Sequence, residues 1–530
     1  NRIIYLIQEN FLVSVIIAVA IIAMVVSGIV VTVNSRERNK DGDTKTTLVK
    51  ADTINLAMFE PRNFNVYESI DEDIFYINQL VYSSLFKLDK NLNITPDVVS
   101  KYSVDTSNGE VNIRLKDNVK FSDGSDLESS DVKASVDRII AAESRSPYFV
   151  YASKINHIQI NDSKNFTVVF NSASDAALDN LIFPITSAGE YNKGESFAIG
   201  SGPYAYSGHE SGKTLKLAVN KYYYDGIAKL PIVFNIVKDK SVIPGLMTMD
   251  VVTAYLNKTQ DADSIAQDKK LKYKKLASGE LEYLGFNHEN KYCSNSKFRI
   301  AISKAIDSSK IIKYNYAGAA VTSDSIYYPN FLGAKKDDTF NFEPQKATKL
   351  LKELKLKDRD EDGIIEDESG NPVTLRILVQ NTNKQRLEAA ETIIENLKQI
   401  GINAELVSVD ADSYKDKLES KQYDIYFGGI KIDKQFNLTD LYTTYNKIGF
   451  SDSKLLTQIS RLEQSLSSEE QLKQFTAIKK SINQDASYVP VCYKAYWFLS
   501  VDTLKNADDV SFYSPYDGAV KWQWSKRKTK

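Results

Sequence analysis

A chain of 530 residues is too long for one small core, and two or three domains are the expectation. Its 67 Lys and Arg against 69 Asp and Glu leave a formal net charge of −2, which removes the argument for a nucleic-acid partner, because neutralising phosphates needs a basic surface. The two cysteines, Cys293 and Cys492, exclude a disulfide scaffold; they fit no metal-ligand spacing and stand as a pair or as buried free thiols.

Residues 11–33 carry no charge and are long enough to cross a hydrocarbon core of about 30 Å as a helix. They predict a single-pass membrane segment, because the run exceeds a secretory signal and neither a cysteine nor a small-x-small cleavage site follows. Arg2 precedes it and Arg36, Arg38 and Lys40 follow, a local count that by itself places the following chain on the cytoplasmic side. Residues 35–52 are polar and read as a flexible linker. Alternation at Ile54, Leu56 and Met58 predicts a first strand, and a helix is expected over 74–80.

Ile113, Leu115, Val119 and Phe121 suit half-buried strands, and Ser122-Asp123-Gly124 is turn chemistry. Ser129 or Ser130 then caps a helix whose buried face is Val132, Val136, Ile139 and Ile140, at i, i+4, i+7 and i+8. A strand is expected over 166–170. Residues 207–214, SGHESGKT, lie one substitution from a phosphate-binding loop, but such a loop must open a helix. Leu215, Leu217 and Val219 alternate instead, so the segment predicts a hairpin turn. Residues 284–287 read as a strand entering a helix over 298–307, and further helices are predicted over 346–354, 388–400 and 467–482.

The stretch 113–140 resembles the signature of the extracellular solute-binding proteins of family 5, with Leu115, Val119, Phe121, Asp123, Gly124, Asp131, Val132, Ser135 and Arg138 in the expected places. Residues 199–204, 284–307 and 489–491 resemble further blocks of that family. The resemblance implies an α/β, bilobal, periplasmic-binding-protein-like fold of the large family 5 type, here preceded by one N-terminal transmembrane helix. Residues 1–34 would be the anchor, 35–52 the linker, 53–280 lobe I completed by 494–530, and 281–493 lobe II.

It further implies a monomeric protein, anchored in the cell membrane with its binding domain on the extracytoplasmic side, that captures a peptide between its lobes and delivers it to the permease of an ABC importer. No bond is made or broken in that role, and no enzyme activity is expected. The alternative is a membrane-anchored receptor or sensor for a peptide or another small solute such as a metal chelate.

Residues 423–433, YDIYFGGIKID, match the block in which the family grips a peptide's α-amino group. By that resemblance Asp433 is the anchor, with Gly429, Ile430 and Lys434 beside it. A carboxylate in a water-poor cleft suits an ammonium through a charge-assisted hydrogen bond. Ile430 stands where the family has Trp and Lys434 where it has Tyr, and the other reading of Asp433 is a loop residue paired with Lys434 or Lys431.

No cofactor is expected. Asp358, Asp360 and Asp362 before Gly363 have the spacing that opens a calcium loop, but the twelfth position is Ser369 rather than a bidentate Glu, leaving structural calcium and a solvated acidic turn as alternatives. The three histidines, His157, His209 and His288, show no zinc-ligand spacing, and no G-x-S-x-G elbow occurs.

Overall fold

The computed structural model describes residues 46–105, 107–173, 178–189, 197–259, 261–431, 439–443, 445–463 and 468–529. The predicted membrane segment at 11–33 lies outside them, and no helix among the described residues is long and apolar enough to cross a membrane.

The signature stretch builds scaffold, as its apolar pattern requires. Glu110–Leu115 pairs antiparallel with Val99–Asp105 on one side and Asn165–Phe170 on the other, and Ile155–Ile160 completes a four-stranded sheet. The helix Ser129–Ala142 buries Val132, Val136 and Ile139. Its cap differs from expectation: Glu128 is the N-cap, and Asp131 Oδ2 accepts from the Glu128 backbone N–H at 2.7 Å, so the serines lie inside the first turn. Ile140, at i+8, has drifted round the helix and is 37% exposed, while Ala142 beyond it is buried.

Two motifs far apart in sequence meet at the turn. Ser122 N–H donates to the Gly200 carbonyl at 3.0 Å. Gly202 N–H donates to the Val81 carbonyl at 2.9 Å, at the end of the helix Glu72–Val81. A Cβ at Gly200 or Gly202 would run into the carbonyls of Val81 and Leu80, so glycine is required by the close backbone approach. Nearby, Tyr204–Glu210 and Thr214–Val219 form the predicted hairpin, within a sheet that continues to Ile232–Ile236 and the parallel strand Ile54–Met58. The Glu60 carboxylate accepts from Gly212 N–H at 2.8 Å and from Ser211 Oγ at 3.0 Å. An acid therefore sits where a phosphate loop would need an anion, which removes the nucleotide reading physically.

The largest sheet has the order Ala254–Asn257, Tyr488–Ser500, Lys272–Phe286, Ile425–Lys431, Thr374–Gln380, Asn403–Val409, with Ala320–Val321 pairing the long strand Tyr488–Ser500 off that path. Its two long central strands feed separate cores. Leu281 and Tyr283 join the core around the signature elements, whereas Leu284, Phe286, Val489 and Val491 join one built entirely from residues between 284 and 492. Pro344–Glu353 and Lys384–Lys398 pack on that second core through Ala347, Leu351, Ala389, Ala390, Ile393 and Leu397. The helices Ser296–Ala305 and Ser468–Asp485 fall near their predicted places.

Val49–Lys526 form one compact unit, and Asn1–Leu48 with Arg527–Lys530 form a second. Thr46–Lys50 and Ser525–Thr529 make a two-stranded ribbon. Both cysteines are free and buried.

Candidate functional site

The long strands Lys272–Phe286 and Tyr488–Ser500 run antiparallel with register shifts between Ala277 and Leu281 and between Glu282 and Tyr283. Such irregularities interrupt the ladder and re-aim side chains. Here they bring Glu280, Glu282 and Lys494 together. Lys494 Nζ lies 3.2 Å from Glu280 Oε2 and 3.5 Å from Glu282 Oε1, and Tyr496 Oη donates to Glu280 Oε1 at 3.1 Å.

Glu282 is 2% exposed, and its register partner on Ile425–Lys431 is Gly429. Its charge is met from the helix Lys384–Lys398, whose N-cap Asn383 accepts from the Arg386 backbone N–H at 3.0 Å and so sets the first turn. Arg386 Nε donates to Glu282 Oε2 at 2.7 Å and Nη2 to Oε1 at 2.9 Å, the two-pronged geometry of a strong guanidinium–carboxylate pair. Burial opposes the Arg386 charge, but Glu282 outweighs it and holds the guanidinium pKa above its ordinary value. Burial, and then the Glu282 charge, push the neighbouring Tyr316 phenol up as well.

Gly429 makes this packing possible. A Cβ there would overlap Arg386 Nη2 and stand 2.9 Å from Glu282 Oε1. Glu282 takes Nε and Nη2 of Arg386, and among the described residues no hydrogen bond falls to Nη1. A guanidinium edge of this kind can receive a carboxylate. Close to these strands lies a cavity of about 540 Å³, within the size range of small-molecule sites, whose lining includes Ala277, Asp324, Tyr328, Phe331 and Lys479. The Asp324–Lys479 ion pair on its wall measures 2.7 Å.

Of the residues expected from the sequence, Gly429 and Ile430 lie near the end of Ile425–Lys431, with the half-buried Ile430 opposite Leu281. Asp433 and Lys434 lie outside the described residues. Sequence reasoning missed Glu282, Arg386 and Lys494. Glu282 and Arg386 are 104 positions apart, beyond any local pattern. The one available signal was an acid inside the apolar run LEYLGF, since a buried strand carries a charge only where a partner meets it.

Many of the 31 tyrosines serve the core. Tyr67, Tyr204, Tyr316, Tyr423, Tyr442, Tyr488 and Tyr493 are fully buried. Tyr283 meets Tyr426 and Tyr488 edge-on at 5.8 and 5.5 Å between ring centres, behind Gly428 rather than in an open cleft.

Asp358, Asp360, Asp362 and the buried Glu366 each offer one carboxylate oxygen, and these oxygens lie within 4.8 Å of one another. Glu366 supplies the fourth acid that Ser369 does not. The donor set is all oxygen, which suits a hard divalent cation such as calcium.

Ser487 Oγ lies 2.9 Å from His288 Nε2 and also bonds Asp485. The carboxylate is on the serine rather than on the far nitrogen of the histidine, and Ser487 is fully buried, so this trio has neither the orientation nor the access of a hydrolytic triad.

Comparison with known proteins accords with this architecture. Over 393 residues the chain is 23% identical to the oligopeptide-binding protein AppA of Bacillus subtilis (strain 168), covering 69% of this chain and 70% of that one. It is 26% identical over 352 residues to the glutathione-binding protein GsiB of Salmonella typhi, covering 64% and 66%. The unliganded open form of MppA, a periplasmic murein tripeptide-binding protein, superposes with a TM-score of 0.76 at 15% identity, over 90% of this chain and 99% of that one, a likeness of fold. The model of the family described as bacterial extracellular solute-binding proteins, family 5, matches residues 93–452, more than half of the chain. The chain belongs to the bacterial extracellular solute-binding proteins of family 5.

Proposed function

We propose that the chain captures a peptide between lobe I, residues 53–280 completed by 494–530, and lobe II, residues 281–493, and presents it to the permease of an ABC importer. Binding, closure and release are the whole cycle: a ligand stabilises the closed state by touching both lobes, and no bond changes. The observation that carries this reading is the leftover guanidinium edge of Arg386, locked by Glu282 against Gly429 on the strand that leads to Asp433. Arg386 would take a carboxylate and Asp433 an ammonium, the two ends of a zwitterion, with Ile430 and Lys434 beside them. The relatives AppA, GsiB and MppA, which bind oligopeptide, glutathione and murein tripeptide, point the same way.

Residues 11–33 would anchor a monomer in the cell membrane with the binding body on the extracytoplasmic side. The Asp358, Asp360, Asp362 and Glu366 cluster would hold a calcium ion that ties the 358–366 turn together.

Mass spectrometry of whatever copurifies with the protein tests the main reading. Intact short peptides are expected, and an exclusive load of non-peptide solutes overturns it. Asp433→Ala should then weaken such a peptide by roughly 1.5–3 kcal/mol in calorimetry, the worth of one charged hydrogen bond. Unchanged affinity removes Asp433 from the site.

A further inference from the structure

The ribbon of Thr46–Lys50 and Ser525–Thr529 is thinly covered. Thr47, Leu48, Val49 and Lys50 are all exposed, Leu48 by 61% and Val49 by 45%. Because successive strand residues face opposite ways, each face of the ribbon bares an apolar side chain. A two-stranded ribbon exposed on both faces is marginal in water and calls for a third layer. Its charge is one-sided: Lys50, Lys526, Arg527 and Lys528 are basic, and the nearest acid in sequence is Asp52. That acid is 88% exposed, stands 3.7 Å from Lys526 and offsets little of the basic charge. Lys526 also packs its ammonium over the Trp524 ring at 5.6 Å, while Arg527 and Lys528 are exposed.

The position of the ribbon along the chain names what covers it. Residues 34–45 are all that separate it from the apolar run at 11–33, and twelve residues reach at most about 40 Å. We propose that this terminal ribbon lies on the membrane surface, with its basic side chains among anionic phospholipid headgroups and Leu48 or Val49 dipping into the interface. The proposal rests on the reading of 11–33 as a membrane anchor. Attraction to anionic lipid acts within a Debye length, so a tether this short keeps the ribbon where the attraction can be felt.

The test uses the full chain reconstituted in nanodiscs of phosphatidylcholine alone or mixed with phosphatidylglycerol, with hydrogen exchange read at the amides of 46–50 and 525–529. Exchange should slow by about tenfold in the phosphatidylglycerol discs, and the protection should vanish in molar salt. It should vanish too in a variant carrying Lys526→Glu, Arg527→Glu and Lys528→Glu, whose melting temperature in detergent should match the parent. Leu48→Ser should reduce the protection without abolishing it. If the chain stays in both kinds of disc with equal ribbon exchange, the lipid contact is overturned and the anchor stands. If the chain is retained by neither, both fall.

Discussion

In the signature helix the buried carboxylate of Asp131 is held by backbone amides, Glu128 N–H and Ala188 N–H, each at 2.7 Å, and Arg138 gives its guanidinium to Thr186 Oγ1 and the carbonyls of Ser187 and Ala188. At the candidate site the buried charges answer one another instead: Arg386 with Glu282, and Lys494 with Glu282 and Glu280. The first arrangement meets the Asp131 carboxylate with main-chain amides and most of the Arg138 guanidinium with main-chain carbonyls. The second leaves a guanidinium edge over and a lysine shared between two acids, a network that a ligand can rearrange. The one suits a scaffold, and the other is what the proposed site would need.

The largest test of this contrast removes a charge from the network. Arg386→Met leaves Glu282 in a buried site with Lys494, 3.5 Å away, as its remaining cation among the described residues, and should cost about 3 kcal/mol in urea unfolding, while Glu282→Leu added to it should restore much of that. A single-mutant cost below about 1 kcal/mol would erase the distinction, because Glu282 would then not depend on its partner.

Asp131→Ala should cost less, about 1–2 kcal/mol, because it frees a capping group and two amides but strands no charge. Should it cost more than Arg386→Met, backbone-held and charge-held sites differ in the opposite sense.

A third test concerns pH. Burial, and then the Arg299 charge, push His288 down to about 4 from its ordinary 6.5. Between those values the unfolded chain binds the proton that the folded one refuses, so the contribution is fully present above 6.5 and is lost as pH falls toward 4. The half-exposed ring calls for a discount for solvent screening, leaving about 1 kcal/mol. Unfolding free energies across that window should flatten in His288→Phe. An unaltered slope would assign the acid sensitivity to other groups. The smallest effect belongs to Ile140→Ala, within about 0.5 kcal/mol, since that side chain lies off the buried face.

The strands, helices and turns around the signature were legible because each is encoded within a few residues: the alternation at 113–115, the Asp123–Gly124 turn, and the helical spacing of Val132, Val136 and Ile139. Where the reading slipped, it was by a residue or two, at the Glu128 cap and at Ile140. The resemblance named Gly429 as a ligand neighbour, and the packing of Arg386 and Glu282 against it was not legible. No local pattern reveals that Arg386 closes over it. The acidic loop showed three of its carboxylates in sequence, and the fourth, Glu366, became visible only when the chain folded back on itself.

By itself, then, the sequence determined the family, the class of fold and the absence of a net basic charge, since periodicity and turn chemistry are read from neighbouring residues and net charge is a plain sum. Which charges share a buried site was decided by the tertiary structure alone. Glu282, Arg386 and Lys494 come from two strands and a helix, and only the register of Lys272–Phe286 against Ile425–Lys431 and Tyr488–Ser500 sets them within hydrogen-bonding reach. A charge leaves water only where its partner is already in place, and such a partner is a property of the fold rather than of the neighbouring residues.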